Sequence, residues 1–245
     1  MLPSAANQPL ESAAVMTQAY VFAPAAVPTL PVEGSTALFP VHRIYCVGRN
    51  FADHTIEMGH DPNEEPPFFF QKNPDTVVAP ADGFPYPPAS TDVHHEIELV
   101  VALKSGGSDI PVEKALDCVF GYAIGLDMTR RDLQAEAKKH RRPWEVAKAF
   151  EKSAPCGPLH AASAIGHLTE GAIRLSINGA VRQDGNLNQM IWKVPEMIAY
   201  LSRLFTLQPG DLIFSGTPAG VGAVQRGDVM RGEIDGLGAI SVTVF

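Results

Sequence analysis

A chain of 245 residues, 45% apolar and 19% charged, has the composition of one ordinary globular domain rather than a disordered segment. Asp and Glu outnumber Lys and Arg 27 to 19, a formal net charge of −8, which gives no electrostatic reason to bind nucleic acid or an anionic membrane. Cys46, Cys118 and Cys156 show no CxxC spacing, which argues for a reducing, cytoplasmic setting, and no apolar run approaches membrane-spanning length.

Residues 1–40 are rich in Ala and Pro and predict a flexible tail, then an extended arm (roughly Tyr20 to Leu38) lying on a domain of residues 41–245. The first twenty lack basic residues and a continuous apolar stretch, so they do not read as a signal peptide, and Met16 offers an alternative start. RIYCVGRN, residues 43–50, reads as a buried strand and turn. FADHTIEMG, residues 51–59, suits two helical turns closed by Gly59, with His54 and Glu57 on one face. A loop from Asp61 to Pro67 leads to the strand PFFFQK, ending at Lys72. HHEIELVVAL, residues 94–103, predicts one strand with Glu96 and Glu98 on the same face.

PVEKALDCV predicts a short helix with Pro111 near its start, and FGYAIGLDMT a strand with Asp127 at its end. Thr129, with Asp132 three residues on, predicts the N-terminal cap of the polar helix RRDLQAEAKKH. IRLSINGAVR alternates around Asn178-Gly179, a hairpin signal, and VPEMIAYLSRLF has apolar residues at helical spacing. Strands dominate and helices are short, so the expected class is α+β, mostly β, with a few flanking helices.

Glu96, Glu98 and Asp127 offer carboxylate oxygens that suit a hard cation such as Mg²⁺, whereas E-x-E on a strand is equally a solvated face. His54 beside Glu57 suits proton abstraction from water, or else both are ordinary polar residues of a surface helix. Lys148, in an apolar setting, either reaches solvent or balances buried negative charge. The loop SGTPAGVG has glycines that let backbone approach a ligand, or form a plain turn, and it does not fit a phosphate-binding loop. His94 and His95 have no partner at ligand spacing and read as structural, and the cysteines as buried small residues.

The stretches CVGRNFADHTIEMG, PFFFQK, HHEIELVVAL, GYAIGLDMTRRDLQ, RPWEVAKAFEKSAP and GDLIFSGTPAGVG together resemble the fumarylacetoacetate hydrolase family. The resemblance implies mixed β-sheets in a roll or barrel-like arrangement around a metal site, usually in a homodimer. It implies Glu96, Glu98 and Asp127 as ligands of Mg²⁺ (with Mn²⁺ or Ca²⁺ as substitutes), His54 and Glu57 as a water-activating pair, and Lys148 as an active-site lysine. Lys72, Arg131, Gln134 and Thr217 match positions that face substrate, and Arg49, Asn50 and Gly216 lie in the same matching stretches. One departure is Phe51, where a tyrosine is expected after Gly-Arg-Asn. The implied reaction is C–C hydrolysis of an acylpyruvate, a small anionic keto acid. Within the family the resemblance is closest to the bacterial branch acting on fumarylpyruvate in gentisate-type aromatic degradation. The rivals are oxaloacetate decarboxylation at the same site and a catalytically silent β-rich binding protein.

Overall fold

The computed structural model describes residues 19–52 and 66–245. The segment predicted as a helix after Phe51 lies almost wholly outside them, and with it His54 and Glu57.

The largest sheet has six strands in the order His160–Ala161, Val119–Leu126, Ile97–Leu103, Leu212–Phe214, Ile44–Gly48 and Phe68–Lys72. All neighbours are antiparallel except Leu212–Phe214 and Ile44–Gly48, which run parallel, so the sheet is mixed. Its central strand, Ile97–Leu103, is buried at every residue. Because side chains alternate, Ile97, Leu99, Val101 and Leu103 join one core, while Val100 and Ala102 join a second with Cys46, Ala123 and Phe214. A strand buried on both faces has no solvated side, which removes the surface reading of Glu98.

The first core also takes apolar residues from a four-stranded antiparallel sheet, order Ala180–Asn186, Ala172–Ile177, Val229–Ile234, Gly238–Thr243. Its first hairpin turns at Asn178 (φ 52) and Gly179 (φ 83), the paired positive φ that the predicted two-residue turn requires. The helix Val194–Leu204 buries Met197, Ile198 and Leu201 against the same core, and the Glu196 carboxylate accepts from the Lys193 amide at 2.8 Å to cap it. Mostly strands, few helices and several sheets, none closing on itself among the described residues, make this an α+β fold dominated by β structure.

Two local expectations are corrected. Residues 94–103 are not one strand: Val93–His95 pairs with Thr129–Arg130 and Gly222–Ala223 in a three-stranded sheet, and the chain changes sheets at Glu96. Thr129 does not cap the helix Arg131–Lys139 either. It sits in a strand with its hydroxyl donating to the Asp127 carbonyl at 3.1 Å, and Arg130 occupies the cap position. Asp132 instead accepts from the Ser90 hydroxyl (2.7 Å) and the Thr91 amide (3.0 Å), tying the helix start to the preceding loop.

Ahead of these sheets, Thr29–Pro31 pairs antiparallel with Leu38–Pro40, and the Glu33 amide donates to the Leu159 carbonyl at 2.9 Å. Leu30 is 1% exposed and belongs to the second core with Val41 and Ile44. Leu30→Ala should therefore lower unfolding free energy by about 2–4 kcal/mol in a urea titration. A loss under roughly 0.5 kcal/mol, the usual scale for surface substitutions, would mean that this hairpin lies outside the cooperative unit.

Candidate metal centre and substrate pocket

Glu96 at the change of sheets, Glu98 one pleat later and Asp127 after the neighbouring strand converge, with one ligand atom from each lying within 4.8 Å of the others. All three are buried. Like charges this close cannot stand alone, and two lysines meet them. Lys148 Nζ donates to Glu96 Oε2 (2.8 Å) and Asp127 Oδ2 (2.6 Å), and Lys72 Nζ lies 2.8 Å from Asp127 Oδ1. Arg131 donates to Glu96 Oε1 from the helix above.

The energetics explain the protonation states. Burial and the neighbouring charges of Asp127 and Glu96 push the Glu98 carboxyl well above its ordinary pKa. Burial alone would strip the Lys148 proton, but the Asp127 and Glu96 carboxylates outweigh it and hold the pKa above that of a free lysine. Lys148 thus donates to two of the three carboxylates.

The residues present fit a divalent cation. The donor set is entirely oxygen, the choice of hard ions. Among the described residues, buried Asp127 Oδ1 accepts no hydrogen bond, although Lys72 stands at ion-pair distance, so it keeps an open lone pair. With ionised carboxylates, three negative charges meet Lys72, Lys148 and Arg131, so an added divalent ion leaves a +2 floor for an anionic substrate.

That floor opens into a pocket. Arg49, Arg131, Gln134, Lys148, Gly216 and Thr217 of the predicted set line it together with Glu96 and Glu98, and Phe68, Phe70 and Trp144 supply an apolar wall. Gly216 donates its amide to Glu98 Oε2 at 2.9 Å from a φ of +92°, and a Cβ there would stand 2.8 Å from that of Asn50. The Thr217 hydroxyl donates to the Ile97 carbonyl at 2.7 Å.

The structure places other predicted residues off the lining. The Asn50 amide group donates to the carbonyls of Trp192 (2.9 Å) and Ser215 (2.8 Å) and accepts from the Trp192 amide (2.7 Å), bracing the loop behind Gly216. Lys72 lies beneath the floor, bonded to Ser153 Oγ at 3.0 Å and to the Lys148 and Met128 carbonyls. Phe51, the departure noted above, is buried in the first core and bridges to Met190, an apolar place where a phenyl ring suffices. The cysteines are buried and unpaired, and burial pushes the Cys156 thiol up to about 12, which suits the inert reading.

Two contributors were not foreseen. Gln183, fully buried, accepts from the Ile97 amide (3.1 Å) and shares a 3.0 Å bond with His95, while its NH₂ donates to Thr217 Oγ1 and the Pro218 carbonyl, both at 2.8 Å. One amide thus ties the metal strand to the glycine loop. The bond to Gln183 Oε1 makes His95 Nδ1 the protonated nitrogen, and burial drives its pKa down to about 4, so it is a neutral structural residue. Lys138, the second, lines the pocket from the face of Arg131 and Gln134, and that three- and four-residue spacing was a readable signal.

Comparison with known proteins agrees with this geometry. The family model described as fumarylacetoacetate (FAA) hydrolase C-terminal matches residues 43–245. A crystal structure of fumarylpyruvate hydrolase from Pseudomonas aeruginosa, in complex with Mn²⁺ and pyruvate, is 54% identical with a TM-score of 0.90, covering 92% of this chain and 99% of that one. A fumarylpyruvate hydrolase from a Ralstonia species is 42% identical over 184 residues, 75% of this chain and 95% of its own. The mitochondrial oxaloacetate tautomerase of Rattus norvegicus is 43% identical over 196 residues, 79% and 87% respectively. A carboxylate triad suited to a divalent metal, on sheets that superpose on those of known relatives, makes this chain a member of the fumarylacetoacetate hydrolase family.

Proposed function

We propose that the chain is a Mg²⁺-dependent acylpyruvate hydrolase whose substrate is fumarylpyruvate, cleaved to fumarate and pyruvate. The observation that carries this reading is the buried triad of Glu96, Glu98 and Asp127, balanced by Lys148 and opening beneath a cation-lined pocket. Its likeness to fumarylpyruvate hydrolases over most of the chain supports the choice of substrate.

A divalent ion held by the triad supplies positive charge for the enolate oxygen that develops as the C–C bond breaks. Arg131, Gln134 and Thr217 place polar groups around the α-keto acid head, and Lys148 keeps Glu96 and Asp127 aimed at one point. Phe68, Phe70 and Trp144 on the lining would shield the scissile bond from bulk water. His54, oriented by Glu57, takes a proton from water as the hydroxide oxygen adds to the acyl carbonyl carbon. The bond from that carbon to the methylene then breaks, its electron pair leaves with the pyruvate enolate, and a proton returned to the methylene carbon gives pyruvate. Gln134, on the pocket lining, would donate to the tetrahedral oxyanion.

A second reading changes the reaction at the same site: interconversion or decarboxylation of oxaloacetate, favoured by the 43% identity to an oxaloacetate tautomerase. The deciding assay follows fumarylpyruvate absorbance with Mg²⁺ and then with excess chelator. Chelator-sensitive decay giving fumarate and pyruvate is expected, whereas an inert fumarylpyruvate with rapid turnover of oxaloacetate would move the chain to the second reading.

Two variants separate the roles. His54→Ala should keep metal affinity while kcat falls roughly 10²–10⁴-fold, and near-normal turnover would remove His54 from the mechanism. Glu98→Gln should weaken Mg²⁺ binding in calorimetry at least about tenfold, as lost metal-site partners do, and an unchanged affinity would discard the triad as ligands.

A further inference from the structure

Lys138 is, with Arg49, a pocket cation for which the hydrolytic scheme has no task. It half-emerges from the helix Arg131–Lys139 and lines the same pocket as the carboxylate triad, with Arg49 beside it on the lining. Among the described residues its Nζ has no carboxylate within 4.0 Å. Its neighbour is the Trp144 ring, 5.2 Å to the centroid, which steadies the ammonium without neutralising it. Arg131, at the start of the same helix face, is already engaged with Glu96. Seven residues of helix separate Arg131 from Lys138, about 10 Å along the axis.

We propose that Lys138 binds a second carboxylate, at the far end of the substrate from the α-keto acid head, and so selects diacids over monoacids. The assignment rests on the keto-acid site proposed above but not on the reaction performed there. A seven-carbon diacid in extended form spans roughly 7–8 Å from C–C bonds near 1.5 Å, which flexible Arg and Lys side chains can bracket across two helical turns. Trp144 and Phe68, packed edge to face at 5.4 Å, offer the apolar surface against which the connecting carbons lie. The electrostatics agree: burial, followed by the nearby Arg131 and Arg49 cations, pulls the Lys138 pKa down to about 8.

The test is calorimetric binding to the Mg²⁺-loaded full chain of 2-oxoheptanedioate and 2-oxoheptanoate. These have the same carbon count, and neither has the 4-oxo group needed for C–C hydrolysis. Wild-type protein should bind the diacid roughly 10- to 100-fold more tightly, the usual worth of one charge-assisted contact. Lys138→Gln should abolish that preference while leaving monoacid affinity within about twofold, and Lys138→Arg should restore most of it. Equal wild-type affinities, binding of neither acid, a preference surviving Lys138→Gln, or both acids weakening together would each overturn the assignment. Diacid preference in a protein that leaves fumarylpyruvate intact would sink the hydrolase reading and leave Lys138 in place.

Discussion

Three buried carboxylates packed within reach of one ion are the constraint around which the site is organised. Charges buried this way cost several kcal/mol each unless opposed. The opposition comes from Lys148, which touches two of the three, from Lys72 underneath, and from Arg131 above. Each cation arrives on a different element: a short helix, an edge strand and the start of a longer helix. Their convergence fixes those elements against each other. Such a set is weak evidence for stability, because apolar packing of the same volume would do as well or better. Its retention makes sense as chemistry.

The fold delivers the triad through a break in a strand. The register that sets Ile97 opposite Leu126 brings Glu96 level with Asp127, whose amide donates to the Glu96 carbonyl at 2.8 Å. Leaving one sheet at His95 and entering another at Ile97 puts Glu96 at the joint between sheets, where its carboxylate meets Lys148 and Arg131. Gln183 holds that joint by bonding both His95 and Ile97, and its NH₂ carries the constraint to Thr217 and Pro218. A side-chain amide is well suited to the task, since it accepts and donates at once and carries no charge into an already crowded field.

Much of this was legible in the chain. The Asn178-Gly179 turn and the helical spacing of Val194–Leu204 each carry a strong local signal, and each element forms where it reads, whereas the strand read over residues 94–103 keeps only its Ile97–Leu103 part. The carboxylates were visible as candidates, but local pattern left a solvated face open. Only burial on both sides of the strand decides it, and burial is a property of the assembled sheets. The capping prediction at Thr129 failed because a strand pairing claimed that residue's backbone and its hydroxyl found a carbonyl two residues back. Gln183 was hidden for a plainer reason: a polar residue in a half-exposed hairpin strand looks like surface until its partners arrive from distant loops.

The same floor can serve more than one reaction, since proton transfer at a keto acid and C–C cleavage both pass through an enolate that positive charge stabilises. Relatives bearing both kinds of name resemble this chain, fumarylpyruvate hydrolases at 42% and 54% identity and an oxaloacetate tautomerase at 43%. Discrimination must then come from groups that contact what the reactions do not share, the portion of substrate beyond the α-keto acid. Beyond the triad, the pocket lining offers Trp144, Arg49 and Lys138 to that portion. A cation there rewards a remote carboxylate, and binding energy gained far from the reacting carbons can be used to orient them. The metal floor sets what chemistry is available, and the far wall sets which acid receives it.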